Sequence, residues 1–434
     1  VIFGFRKGKD EIEEEEEEID FVTFQPPTNG NEVNLAEHAR LAQAGLPVAK
    51  QIISDALGRR AELIRVEPKG EQSSVTFTID GVPYSGGRLS KQQGLAFTQI
   101  TKHLAGLDVK VRKEAQQGGM PAEFDEKDYE IRVESVPVKT GERLLIHARD
   151  LSISLTTPDD LNIPQVLREK IREAAATKQG VITFCGPARS GTTTTTFAAM
   201  RVIDAYLYAV YSFADLQGRE LPYATEFKPQ AGDDYEATLN RIFRQEADVL
   251  FVDPLKDSER TKLILSLKDK ACIAFEFSAR DAAHGIAQLT EWSDGKSLAG
   301  GLSIIISQKL IRTLCDKCKQ AYRPNPKLLA KLGLPEETKM LFRPPEIPEE
   351  ENPEEEYEPC RKCGELGYYG RTAMFEFIEM TEEMKKLVSQ GAKTAQIQAL
   401  AKKEGMLALQ KDGLRLVAEG VTSLEELQRA FKAK

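Results

Sequence analysis

Residues 181 to 196 read VITFCGPARSGTTTTT: an apolar run, a turn bounded by two glycines, then a threonine run. Strand, glycine turn and helix in that order form a phosphate-binding loop of the pattern GxxxxGK[ST], and Thr192 stands where the lysine belongs. In such a loop the backbone N–H groups and the helix N-terminus hold phosphate. The lysine adds a cation, and a Ser/Thr hydroxyl holds Mg²⁺. Gly186, Ser190, Gly191 and Thr193 keep the means for a cradle and a metal hydroxyl, with Thr192 beside them and Arg189 inside the turn as a substitute cation. Phosphoryl transfer depends on positioning and electrostatics, so loss of the lysine predicts poor turnover. The same residues also suit an ordinary strand-to-helix turn capped by threonines.

Working outward, 434 residues allow two to four domains, and 41% apolar with 29% charged residues is the balance of a water-exposed globular chain. The longest apolar stretches, such as Leu302 to Ile306, fall far short of the ~20 residues of a membrane span. The N-terminus has no apolar signal-peptide core, so a cytoplasmic location is expected. A net charge of -9 argues against broad binding to nucleic acid or anionic lipid. Much of the acidity lies in Asp10 to Asp20 and Glu346 to Glu358, runs expected to be solvated arms or linkers.

The pattern predicts an acidic mobile arm over 1–34 and an N-terminal α/β domain over 35–150. That domain has a helix at Leu35 to Leu57, strands at Leu63 to Val66 and Val75 to Ile79, and a turn at Asp80-Gly81. A helix follows at Gln92 to Leu107, with strands at Tyr129 to Val136 and Arg143 to Ala148. From 151 to 312, a helix at Pro164 to Ala176 and apolar strands at Val249 to Val252 and Ile273 to Phe277 alternate as in a parallel sheet covered by helices. Residues 313–372 carry paired cysteines and an acidic insert at 344–359. Residues 373–434 read as helical, with Gly405 and Gly420 as stops and a capping box at Thr422 to Glu425.

Of six cysteines, Cys185 and Cys272 lie in or beside apolar strands and read as buried free thiols. Cys315 with Cys318, and Cys360 with Cys363, form two CxxC pairs, the pattern of a closed tetrahedral zinc site. Four thiolates leave no open position, so the zinc would be structural. The 41 residues between Cys318 and Cys360 would project from it. Reduced redox pairs are the competing reading.

Further motifs give these boxes a common context. Cys315-Asp-Lys-Cys318, Cys360-Arg-Lys-Cys363 and Gly367-Tyr-Tyr-Gly-Arg371 precede Gly405-Met-Leu-Ala-Leu-Gln-Lys-Asp-Gly413 and Gly420-Val-Thr-Ser-Leu-Glu-Glu426. The N-terminal part adds Val66-Glu-Pro68, Ile79-Asp-Gly81, Arg132 and Gly141-Glu142. From about residue 45 to 430 the chain resembles the secretion and pilus-assembly ATPase family, the motors of type II secretion and type IV pilus machines. The resemblance implies a RecA-like P-loop core with the N-terminal α/β domain, a small four-cysteine zinc module and a C-terminal helical domain. It also implies assembly into a hexameric ring, homo- or hetero-oligomeric, at the cytoplasmic face of inner-membrane secretion or pilus platform proteins, without nucleic acid.

Against that family pattern the charged boxes are altered one after another. The Walker B segment, of the form DPDxxxxGExRD, corresponds to Glu246 to Asp257, with Pro254 at the glutamate and Asp253 beside it. The acidic box corresponds to Phe213 to Gly218, keeping Asp215 without the preceding glutamate. The histidine box corresponds to Lys270 to Ala282, where Ala271 and Ser278 replace both histidines and Asp281-Ala282 survive. In the first domain Thr76, Thr78, Glu114 and Gly119 replace basic positions, the last two around a turn at Gln116-Gln117-Gly118. These losses remove the charges that balance a triphosphate, and they imply a pseudo-ATPase acting as scaffold or regulator. An ATP-binding or slowly hydrolysing ATPase, with Arg189 as cation and Asp253 or Asp215 handling water, is the alternative. A switch that holds ATP without cleaving it is a third, and whether ATP and Mg²⁺ bind stays open at this point.

Overall fold

A computed structural model of the chain describes residues 21–153, 155–216, 221, 223–334, 338–346 and 359–432. The acidic run at Asp10 to Asp20, most of the acidic insert, and Gln217 and Gly218 of the acidic box lie outside the described residues. The chain divides into two compact units, Val1–Ser154 and Leu155–Lys434.

The first unit contains β1 (Thr23–Phe24), α1 (Ala39–Gly58), β2 (Ala61–Lys69), β3 (Gln72–Ile79), β4 (Val82–Ser90), α2 (Lys91–Leu104), β5 (Gln116–Phe124), β6 (Lys127–Val138) and β7 (Gly141–Asp150). Its antiparallel sheet has the order β1-β5-β6-β7-β2-β3-β4. On β6, Tyr129, Ile131, Val133 and Ser135 are buried in alternation, the period of a strand with one covered face. Three expectations shift here. Asn34 Oδ1 accepts from the Ala36 and Glu37 amides, a turn that delays the helix to Ala39. Residues 21–34 of the expected mobile arm are anchored instead: β1 pairs with β5, and Val22 is buried with its amide donating to Ser54 Oγ. Gln116-Gln117-Gly118 is not a turn but the start of β5, because Gly118 lets the strand pass the end of α2. A Cβ there would lie 2.4 Å from the Ala105 carbonyl oxygen.

The second unit opens with α3 (Gln165–Ala176), β8 (Val181–Gly186), α4 (Thr192–Met200), β9 (Val210–Phe213), β10 (Thr225–Glu226), α5 (Tyr235–Phe243), β11 (Val249–Val252), α6 (Ser258–Ser266) and β12 (Cys272–Ser278). It continues with α7 (Ala282–Trp292), α8 (Gly295–Gly301), β13 (Leu302–Leu314), β14 (Gln320–Tyr322), α9 (Pro326–Leu332), β15 (Leu341–Arg343) and β16 (Tyr368–Glu379). Four helices close it: α10 (Glu382–Ser389), α11 (Thr394–Lys403), α12 (Leu409–Ala418) and α13 (Leu424–Lys432).

The main sheet runs β10-β9-β11-β12-β8-β13-β16, parallel except for the β13–β16 edge. Both faces are covered, so its strands read as apolar runs without alternation, yet parity still sorts the side chains. Val181, Cys185, Leu250, Val252, Ile273 and Phe275 enter one core layer, with Ile286 of α7. Ile182, Phe184, Val249, Phe251, Cys272 and Ala274 enter the other, with Phe197 and Ala198 of α4. Truncating a fully buried phenylalanine such as Phe184 or Phe275 to alanine costs about 3–5 kcal/mol.

The expected boundaries at 312/313 and 372/373 fall inside β13 and β16, which pair antiparallel without a break from Ile304 to Arg312. Gly405 and Gly420 follow α11 and α12 at φ +72° and +68°, left-handed stops that suit glycine. The cap of α13 is Ser423 rather than Thr422. Ser423 Oγ accepts from the Glu426 amide at 3.1 Å, while Thr422 Oγ1 donates to the Arg312 carbonyl.

Candidate nucleotide site and metal centre

β8 ends at Gly186 and α4 starts at Thr192, so the glycine turn lies at the carboxyl end of the parallel strands, where open α/β sheets place their ligands. A side chain at 186 would put its Cβ 2.3 Å from Ser190 Oγ, and Gly191 caps α4 at φ +78°. Arg189 also adopts a left-handed φ of +65°, and its side chain is exposed. Ser190 is buried. Its hydroxyl lies 2.8 Å from Thr192 Oγ1, and its carbonyl accepts from Gln308 Nε2 of β13.

Thr193, the expected Mg²⁺ hydroxyl, donates to Glu276 Oε1 at 2.7 Å. One turn further along α4, Thr196 donates to Glu276 Oε2 at 3.2 Å and to the Thr192 carbonyl at 2.9 Å. Glu276 is 7% exposed on β12. Motif matching passes over this residue. The signal that finds it is parity: in Cys272-Ile-Ala-Phe-Glu-Phe-Ser278 the even positions Cys272 and Ala274 face the α4 layer, and 276 is the next.

The acidic and Walker B segments and the second histidine-box position lie at the same strand ends, whereas Ala271 precedes β12 at the opposite, amino end of the sheet. The register pairs Ser278 with Gly186, so the position expected for a histidine adjoins the first glycine of the turn. Asp253 follows β11, and its Oδ1 accepts from the Asp215 backbone amide at 2.9 Å, tying the two box segments together. Pro254 lies between Asp253 and Leu255, whose amide donates to the Glu276 carbonyl. Asp281 caps α7: its carboxylate accepts from the His284 amide and lies 2.7 Å from His284 Nδ1. The Ala282 amide donates to Glu376 of β16, whose carboxyl is pushed up by burial. Burial likewise pushes the Cys272 thiol up to about 12 and raises that of Cys185, so both are inert.

The two CxxC pairs meet because one follows β13 and the other precedes β16. Leu314 pairs with Tyr368, and the Cys315 amide donates to the Gly367 carbonyl. The four Sγ atoms lie within 4.8 Å of one another, with Cys315 to Cys360 at 3.9 Å and Cys318 to Cys363 at 3.6 Å. Bonds of about 2.3 Å in a tetrahedron separate sulfurs by about 3.8 Å, so the four cysteines fit a zinc ion.

A sequence profile described as type II/IV secretion system protein matches residues 42–429. The chain belongs to this family. Within it, the chain is 28% identical over 388 residues to the type IV pilus assembly ATPase PilB of Thermus thermophilus, covering 87% of this chain and 42% of that protein. To the protein transport protein HofB homolog of Escherichia coli it is 24% identical over 412 residues, covering 91% of this chain and 86% of that one. The type II secretion system protein E of Xanthomonas campestris is 25% identical over 386 residues, with 87% and 66% covered. The chain thus spans less than half of the Thermus relative. In fold it matches the Legionella pneumophila ATPase DotB, with a TM-score of 0.53 at 12% identity over 88% of this chain and 94% of the other. The family expectation of a RecA-like P-loop core is met by the parallel sheet and the loop between β8 and α4. Among the described residues, no helix is long and apolar enough to cross a membrane.

Proposed function

We propose that this chain is a non-catalytic member of the secretion and pilus-assembly ATPase family, a subunit that scaffolds or regulates a machine instead of driving it. The observation that carries this reading is the electrostatics of the loop. Thr192 stands in place of the lysine, so the loop lacks the cation that would balance a phosphate. Pro254 offers no carboxylate to orient water, and Ser278 beside Gly186 offers no cation. Gly186, Arg189, Ser190, Gly191, Thr192 and Thr193, with Asp215 and Asp253, are on this reading the remains of a nucleotide site.

The surrounding scaffold is intact: a covered sheet, capped helices and a four-cysteine cluster suited to a structural zinc. Such a subunit would join a ring, alone or mixed with an active paralogue, at the cytoplasmic face of an inner-membrane platform. The 151–312 core, the 313–372 metal module and the 373–434 helices would supply the contacts. Titration calorimetry with Mg-ATP and Mg-ADP, with phosphate release followed on the same sample, tests the reading. Neither binding nor release is expected. Binding without release would make the chain a switch, and release abolished by Arg189→Ala would make it an enzyme with a substitute cation.

A further inference from the structure

We propose that residues 29–38 form an acid-released strap over the last turn of α2, with the imidazoles of His38 and His103 as its latch. The strap belongs to the first unit alone and stands apart from whether the chain binds nucleotide.

Two asparagines and a histidine pair hold it. Asn29 Nδ2 and Asn31 Nδ2 both donate to the Gly106 carbonyl, at 3.0 and 2.8 Å, just past the end of α2. Asn34 then turns the chain into α1, and His38, at the N-cap of that helix, lays its ring against His103 of α2. The ring centroids are 4.7 Å apart and the planes cross at 71°. His103 Nε2 is buried and has no hydrogen-bond partner among the described residues, while the ring keeps a bond to the Asn34 backbone. The neutral ring therefore donates from Nδ1 and carries its lone pair on Nε2.

Protonation at that nitrogen opens the latch. A proton on Nε2 creates an N–H with no acceptor, and a charge shielded from water beside a second imidazole. Burial first, and then His38, hold the His103 imidazole below its ordinary value of 6.5. His38 is the one titratable group whose charge acts on the ring. Lys102, before it on α2, turns to Glu142 and the Val111 carbonyl, and Asp108 accepts from the Lys110 amide. Glu32, Glu37 and Arg40 are exposed. A histidine lowered in the strapped form leaves the strap at full strength above about 6.5, and the strap weakens as pH falls from there through the lowered value. The chain before it has separate anchors, since the Gln25 and Thr28 amides donate to the Pro121 and Gly119 carbonyls. Release is confined to 29–38.

Hydrogen exchange of the full chain, corrected for the intrinsic effect of pH, compares 29–38 with 22–28 between about pH 7.5 and about pH 5.5. It is run on the unchanged chain and on His103→Gln, which cannot take the charge. Exchange at 29–38 is expected to rise severalfold on acidification of the unchanged chain, with 22–28 still protected, and to stay level in His103→Gln. No rise, a rise shared by 22–28, or the same rise in His103→Gln overturns the proposal. If His103→Gln does not fold, imidazole titration by NMR decides. One ring titrating below 6.5, and moving upward in His38→Ala, is expected; two rings titrating independently at 6.5 would overturn the latch.

Discussion

Gln308 Nε2 lies 2.6 Å from the Ser190 carbonyl oxygen, with both residues buried, so that β13 holds the glycine turn by a side chain one position past its pairing with the P-loop strand. Gln308→Ala leaves that carbonyl without this donor. Urea unfolding should show a loss of about 1–3 kcal/mol, the cost of a buried polar group deprived of its partner. No change in the midpoint would mean that the turn holds its shape unaided.

Gly186→Ala should destabilise by about 1–3 kcal/mol through overpacking, because the new methyl would meet Ser190 Oγ at 2.3 Å and Thr192 Oγ1 at 3.0 Å. In a Ser190→Ala background the nearest of these contacts is gone. The substitution at 186 should then cost less, and a double-mutant cycle by denaturant unfolding reads the difference. Additive losses would place the strain elsewhere.

Metal analysis of the purified chain should return one zinc per molecule. Cys318→Ser or Cys363→Ser should lower that content and the unfolding temperature together, since the site ties the ends of β13 and β16. A chain that contains no zinc, and whose thermal midpoint does not respond to a chelator, would contradict this.

Burial alone would push the Glu426 carboxyl up, but hydrogen bonds from Arg429 and Arg312 overcome it and hold the group below its ordinary value of 4.5. A carboxyl lowered in the folded state stabilises the fold above its unfolded value. That contribution is lost as pH falls from about 4.5 through the folded value. Glu426→Gln should cost about 3 kcal/mol at neutral pH and flatten the acid limb of a stability-against-pH curve. An unchanged acid limb would show that the two arginines contribute little to it.

The sequence made the P-loop strand, the helix after it and the cysteine cluster legible because each depends on local pattern: an unbroken apolar run, a glycine pair, a two-residue spacing. The strands Val82–Ser90 and Gln116–Phe124 were not legible, since their glycines and prolines carry the signature of turns. Their extended state comes from neighbours on the sheet. Glu276 was hidden for a related reason: it lies 83 residues beyond Thr193, and only the sheet register brings the two side chains together. The anchored segment at 21–34 was hidden by its polar composition, which says nothing of the open edge of β5 that it pairs with.

β13 has one more property. Its early residues Ile304 to Ile306 are packed in the sheet, Gln308 grips the glycine turn, Lys309 reaches the Ala430 carbonyl, Arg312 grips Glu426 of α13, and the next residue after its end is a cysteine of the four-cysteine cluster. Tension applied at that cysteine would run along the strand axis, across the hydrogen bonds of β13: perpendicular to those with antiparallel β16 and oblique to the slanted ones with parallel β8. Bonds loaded in that direction must yield together and cannot open one at a time. The strand is therefore placed to carry mechanical load between the four-cysteine cluster and the loop without fraying, whether or not any nucleotide is ever cleaved beside it.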